Sequence, residues 1–132
     1  MSGTFPDDEW LESFKTKLNQ DERYAEMASN WEGDFVFDIE PDDQFPQRRR
    51  LYLDLWHGKC REAYSLDEDD TAEAKFTLAG SYTNFFQVLQ GKIDPMQAMI
   101  TRKLRVKGNM AYMMRNVPVV LDFVRCAREV TG

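Results

Sequence analysis

The sequence predicts an α+β fold with five strands in a mainly antiparallel sheet. Three observations carry this. Apolar residues recur at helical spacing near both ends, they alternate through the middle, and helices come in blocks instead of following each strand. The order is helix, four strands, two helices, one strand, then terminal helix.

Pro6-Asp7-Asp8 opens the first helix, with carboxylates where the helix dipole favours them. Trp10, Leu11, Phe14 and Leu18 share its apolar face. Asn19-Gln20-Asp21 interrupts it, and Tyr24, Met27, Ala28 and Trp31 resume the spacing until Gly33. Alternation then takes over. Phe35, Phe37 and Ile39 mark one strand, and Leu51, Leu53 and Leu55 the next. His57-Gly58 predicts the hairpin turn into a third strand, Lys59 to Leu66. After the acidic loop, Phe76 and Leu78 mark a fourth. These four read as an antiparallel meander.

The period then changes. Ser81 is a candidate N-cap for a helix with Tyr82, Phe85, Phe86 and Leu89 on one face, and Gly91 closes it. Asp94-Pro95 is an N-cap carboxylate followed by proline at the first helical position. Lys103 to Lys107 alternates as the fifth strand. Met110, Met113, Met114 and Val117 form another helical stripe. Pro118 breaks or restarts that helix, and Val120, Leu121, Val124 and Ala127 continue the face.

A chain of 132 residues is one domain's worth, so residues 1–132 are read as a single domain. The net charge of −6 argues against nucleic acid as a partner, because that surface must displace counterions. No apolar run approaches a membrane span, the start lacks the pattern of a signal peptide, and Val130-Thr131-Gly132 is not a peroxisomal address. The cytoplasm is the expected compartment. Arg48-Arg49-Arg50 reads either as the wet lead-in to a strand or as a transient contact for a membrane surface.

Catalytic and metal signatures are sparse. The glycines of "AGSYTNFFQVLQG" are too far apart to cradle a phosphate. One histidine and two distant cysteines do not suggest a zinc site. Cys60 and Cys126 read as buried thiols, and His57 with Cys60 is the only candidate nucleophile pair. No metal, no cofactor and no catalysis are expected. The positive signal is an apolar excess between Phe85 and Val124, rich in methionine. Methionine is flexible and polarizable, so it adapts to ligands of varied shape. At helical spacing such a stripe is ordinarily core, and a pocket is the second reading.

Two stretches carry a resemblance. "LQGKIDPMQAM" (Leu89 to Met99) followed by "KLRVKGNM" (Lys103 to Met110) resembles the sterol carrier protein family, the non-specific lipid-transfer domain, in its short single-domain prokaryotic form. The likeness runs from Trp10 to about Cys126. It implies a five-stranded twisted sheet with helices covering one face and a hydrophobic tunnel between them. It also implies a carrier for fatty acid, fatty acyl-CoA, sterol-like or phospholipid ligands that does no covalent chemistry. Carried onto this chain, Phe85, Phe86, Leu89, Met96, Met99 and Ile100 would form one wall, and Leu104 and Val106 the strand side. Met110, Met113, Met114, Val117, Leu121 and Val124 would form a lid that hinges at Val117-Pro118. Truncation after Asn116 is the corresponding test of that lid. Arg102 stands where family members often carry glycine, and it either points to solvent or meets a lipid head group.

Two other functions compete with the carrier. One is a non-catalytic interaction module that docks a partner on an exposed aromatic face of Trp10, Phe14 and Tyr24. The other, less favoured, is an enzyme acting on acyl substrates through His57 and Cys60.

Overall fold

The computed structural model describes residues 4–131; Met1 to Gly3 and Gly132 lie outside them. The chain runs α1 (Asp8–Gln20), α2 (Glu22–Met27), β1 (Phe35–Glu40), β2 (Arg49–Trp56), β3 (Lys59–Leu66), β4 (Phe76–Ser81), α3 (Tyr82–Leu89), α4 (Pro95–Ile100), β5 (Leu104–Gly108), α5 (Met110–Arg115) and α6 (Val117–Glu129). The predicted α+β class holds. No helix among the described residues is long and apolar enough to cross a membrane.

Side-chain caps set the helix starts. The Asp7 carboxylate accepts the Trp10 N–H at 2.8 Å, Asp21 accepts from Tyr24, Ser81 from Asn84, Asp94 from Gln97 and Asn109 from Tyr112. Pro118 sits in the first turn of α6, where its missing N–H costs nothing, so it restarts the helix instead of breaking it. Trp31 departs from its predicted place. The helix ends at Met27, and Trp31 lies beyond it, buried against Phe35 and Phe76 with its indole N–H donating to the Gly33 carbonyl. Ser29 and Asn30 favour turns over helix, so helical spacing was coincidental there.

The sheet order is β3-β2-β1-β4-β5. β1–β2, β2–β3 and β4–β5 pair antiparallel, but β4 pairs parallel with β1. The predicted four-strand meander is therefore corrected: the chain leaves β3, crosses over, and lays β4 on the free side of β1. The register explains the choice. Phe76 sits beside Phe35 and Leu78 beside Phe37, so the apolar rows of β1 and β2 continue across β4. The crossing point is pinned by Asp34, whose carboxylate accepts the Lys75 N–H and whose carbonyl accepts the Phe76 N–H. At the β2–β3 hairpin, His57 and Gly58 both have positive φ, as a two-residue type I′ turn requires.

One sheet face carries Phe35, Phe37, Ile39, Leu51, Leu53, Leu55, Phe76 and Leu104, all buried under the helices. The other face is polar. There Asp38 pairs with Arg48, Asp54 with Arg61 and Glu40 with Arg105. The arginine run is held within the chain: Arg48 on Asp38, Arg49 on Asp8, and Arg50 on the carbonyls of Asp67 and Asp70. Trp10, Phe14 and Tyr24 are fully buried, so the exposed aromatic docking face expected of an interaction module does not exist. α1 is amphipathic with its aromatic side inward, and pattern alone could not say what covered it.

Arg102 links α4 to β5 with φ +62. An L residue pays about 1–2 kcal/mol in this left-handed region, and glycine does not. That is a backbone reason for glycine at this position. Arg102→Gly is expected to raise stability by about 0.5–1 kcal/mol after allowing for the greater unfolded freedom of glycine. A urea midpoint that falls instead would contradict it.

Candidate functional site

Between the apolar sheet face and the helices lies a cavity of about 50 Å³. β1 contributes Phe35 and Phe37, and β4 and β5 contribute Leu78 and Leu104. The helical side is Phe85, Val88 and Leu89 from α3, Pro95 and Met99 from α4, Met113 from α5, and Val120, Phe123, Val124 and Ala127 from α6. Phe5 and Trp10 complete the lining. The walls are almost wholly apolar. By the smallest volume that holds a water, the space would take roughly four. It is too small for a long alkyl chain as it stands.

A second, open depression of about 160 Å³ lies on the outside, lined by Met96, Met99, Ile100, Met110, Met113, Met114, Val117 and Val120. Met99, Met113 and Val120 line both spaces. The partition between groove and cavity is therefore two methionines and one valine. Methionine changes rotamer with little penalty and leaves no polar atom stranded, so this partition can yield. Groove and cavity together have no charged side chain in their lining.

The structure distributes the fourteen expected residues unevenly. Phe85, Leu89, Met99, Leu104, Met113 and Val124 line the cavity. Met96, Ile100, Met110, Met114 and Val117 line the groove. Phe86, Val106 and Leu121 line neither. Phe86 stacks on Phe5 and Tyr82, Val106 packs at the margin of the core, and Leu121 is largely exposed. Sequence reasoning missed Phe5, Trp10, Phe35, Phe37, Leu78, Val88, Pro95, Val120, Phe123 and Ala127 as wall residues. Phe123 could have been found, because it falls three residues before Cys126 on the buried side of α6. Phe5 had a weaker signal, an aromatic just ahead of a helix cap, where apolar residues often fold back.

The C-terminal helix is not a free lid. α6 buries Val119, Val120, Phe123, Cys126 and Ala127 in the core. Truncation after Asn116 would remove all five, so it would test folding and not gating. The far half of α6 is also locked ionically. Arg125 binds Asp21 at 2.7 Å, Asp122 at 2.8 Å and Glu129 at 2.8 Å, and Lys17 joins Asp21 and Glu129. The Arg125 guanidinium, more than any other group, holds the Asp21 carboxyl well below the usual carboxylate range. α5 is held on one side only: Met110 and Met114 are exposed, but Met113 is buried and Tyr112 packs on Trp31 and Phe76, its hydroxyl accepting the Glu32 N–H. The break at Asn116 separates α5 from α6.

The remaining chemistry is quiet. The ligand atoms of Asp21, Asp122 and Cys126 lie within 4.8 Å of one another. Arg125 already binds both carboxylates, and burial pushes the Cys126 thiol up to about 11, so the cluster is an ion-pair network. His57 contacts the Glu32 carboxylate at 2.6 Å on the surface, while Cys60 is buried and bonds the Glu62 carbonyl. Burial pushes the Cys60 thiol up to about 12, which keeps it protonated at neutral pH and removes the dyad as a nucleophile pair.

Comparison with known proteins bears on this geometry. A profile of the SCP-2 sterol transfer family matches residues 11–120. Comparison with curated proteins gives no match. Among solved structures, a crystal structure of sterol carrier protein 2 is 34% identical, with a TM-score of 0.83, covering 92% of this chain and 95% of that one. A conserved hypothetical protein of Thermus thermophilus, described as possibly a sterol carrier protein, is 32% identical with a TM-score of 0.85, over 100% and 94%. Sterol carrier protein 2 of Aedes aegypti, solved with the C16 fatty acid palmitate, shares the fold at 16% identity and a TM-score of 0.54, over 88% and 94%.

Proposed function

Because the chain belongs to the SCP-2 sterol transfer family, we propose that it is a non-catalytic lipid carrier that draws the alkyl chain of a fatty acid or fatty acyl ligand through the methionine partition into the apolar cavity. The observation that carries this reading is the shared wall. The apolar groove and the apolar cavity adjoin, and Met99, Met113 and Val120 belong to the walls of both.

An alkyl chain gains about 0.8 kcal/mol for each methylene moved out of water, so roughly ten buried carbons give useful affinity after binding costs. A flexible chain can thread a yielding partition one methylene at a time. A rigid ring system must displace several walls at once, which makes a sterol the less favoured ligand for a resting cavity of about 50 Å³. A carboxylate or thioester head cannot follow into walls without a polar partner. It stays outside, at the groove.

Met99→Trp tests the reading. Met99 is half-buried and lines both spaces, so a larger side chain there plugs the opening between them. A fluorescent fatty acid is expected to bind more than roughly tenfold more weakly, the loss of a few buried methylenes, with far-UV circular dichroism and Tm unchanged. Equal affinity in the folded variant would sink entry at this point. Native mass spectrometry of the purified protein supplies the ligand's identity directly.

A further inference from the structure

The resting cavity of about 50 Å³ is smaller than the alkyl chain assigned to it, so a bound chain must displace part of the wall. Every residue lining it but one belongs to a helix or a strand, where the main chain is fixed by the hydrogen bonds of the element. The exception is Phe5, in the turn ahead of α1. Phe5 also meets the surface. A separate open depression of about 310 Å³ lies outside it, with Phe45, Gln47 and Arg49 in its wall. Among the described residues, Phe5 alone lines both this depression and the cavity. The depression shares no lining residue with the methionine groove, so the cavity meets two different parts of the surface.

The Phe5 ring is held by apolar contact alone. It is buried, with its centroid 4.9 Å from Trp10, 5.8 Å from Tyr82 and 6.4 Å from Phe86. The main chain around it is tied separately. The Asp7 N–H donates to the Thr4 carbonyl at 2.7 Å, the Thr4 N–H to the Asp7 carboxylate at 3.0 Å, and the Arg49 guanidinium to the Pro6 carbonyl at 3.2 Å. None of these bonds involves the ring, so a change of rotamer at Phe5 breaks none of them. Trp10 beside it is less free, because its indole N–H donates to the Thr131 hydroxyl at 3.0 Å. In the depression, half-buried Phe45 stacks on Tyr82 at 5.0 Å and offers apolar surface to a displaced ring. An apolar residue folded back on a helix start accounts for the burial of Phe5. It does not account for one ring that walls both an apolar cavity and an open depression.

We propose that Phe5 is a displaceable plug that sets the length of alkyl chain the protein takes. A short chain, entering from the groove, ends beneath the ring. The tail of a long one drives the ring into the outer depression and takes its place among Trp10, Tyr82 and Phe86. Each methylene up to the plug gains its full burial, and those beyond it must first offset the burial that the ring gives up. This rests on the carrier reading and adds a length preference to it.

The test is a length series. Saturated fatty acids of eight to eighteen carbons, kept below their micellar concentrations, compete with a fluorescent fatty acid for wild type and for Phe5→Ala. In wild type, affinity should rise with length and then level off. In Phe5→Ala the rise should continue, and the eighteen-carbon acid should bind on the order of ten- to a hundredfold more tightly than to wild type, the burial of one phenyl ring expressed as an affinity ratio. The gain should shrink as the chain shortens. Phe5→Leu keeps an apolar side chain in the turn and should show a smaller gain with the same length dependence, so it decides the matter if the alanine variant does not fold. Circular dichroism checks the folding of both. A wild-type series that never levels off, or a gain equal at every length, overturns the plug and leaves the carrier reading standing. Binding of no chain by wild type or by either folded variant overturns the carrier reading, and the plug with it.

Discussion

Replacing Phe123 with alanine is expected to cost about 3–5 kcal/mol of folding stability and to widen the cavity at the same stroke. Phe123 is the hub of the aromatic core. Its ring centroid lies 5.0 Å from Phe14, 5.4 Å from Phe35, 5.9 Å from Phe37 and 6.4 Å from Tyr24, and it lines the cavity itself. The loss is large against a typical total of about 5–15 kcal/mol, so the urea midpoint should fall sharply. A fatty acid added to the variant should recover more stability than it adds to wild type, because the chain fills a void that wild type has to create. At a hundred times Kd, linkage alone adds about 2.7 kcal/mol. Paired urea titrations with and without ligand measure both effects. A loss below about 1 kcal/mol would show that the site collapses freely, and an equal ligand increment in both proteins would separate Phe123 from the binding space.

Arg125→Met is the second large effect, expected at about 3–5 kcal/mol, the usual loss when one partner leaves a buried ionic cluster. It leaves Asp122, almost fully buried, with only the exposed Arg23 as partner. The sign with pH follows from Asp21. Its folded pKa lies below the ordinary value of 3.8, chiefly through its hydrogen bonds to Arg125. A depressed carboxyl stabilises the fold above its unfolded pKa and loses that contribution as pH falls through the folded value. Glu129, held down first by Lys17 and then by Arg125, acts in the same direction. Wild type should therefore lose stability as pH drops below about 4, and the variant should show a shallower slope there. Parallel slopes would mean that the network does not carry the acid sensitivity. Because this network anchors the far half of α6, the variant should also release fatty acid faster.

Local elements were readable because local chemistry specifies them. Asp94-Pro95, Ser81 and the His57-Gly58 turn each satisfy a backbone requirement within four residues. β4 was read short, at Phe76 and Leu78. Its last residues, Ala79, Gly80 and Ser81, show no alternation and are strand only because Asp38, Ile39 and Glu40 pair with them. The site was half legible for the same reason. Met99, Met113 and Leu104 lie in a segment dense with apolar residues, but much of the cavity wall comes from Phe5, Trp10, Phe35, Phe37 and Phe123. Those residues look like ordinary core, and nothing local distinguishes a side chain packed on its neighbours from one facing a gap.

The sequence by itself determined the α+β class, the helix starts, the hairpin and the apolar faces. These depend on periods and caps that act over a few residues. Only the tertiary structure decided that β4 lies parallel to β1, that the aromatic side of α1 faces inward, and that Met99, Met113 and Val120 part a groove from a cavity. Those outcomes are set by which distant surfaces fit together, and the period of a strand or helix carries no label for its partner.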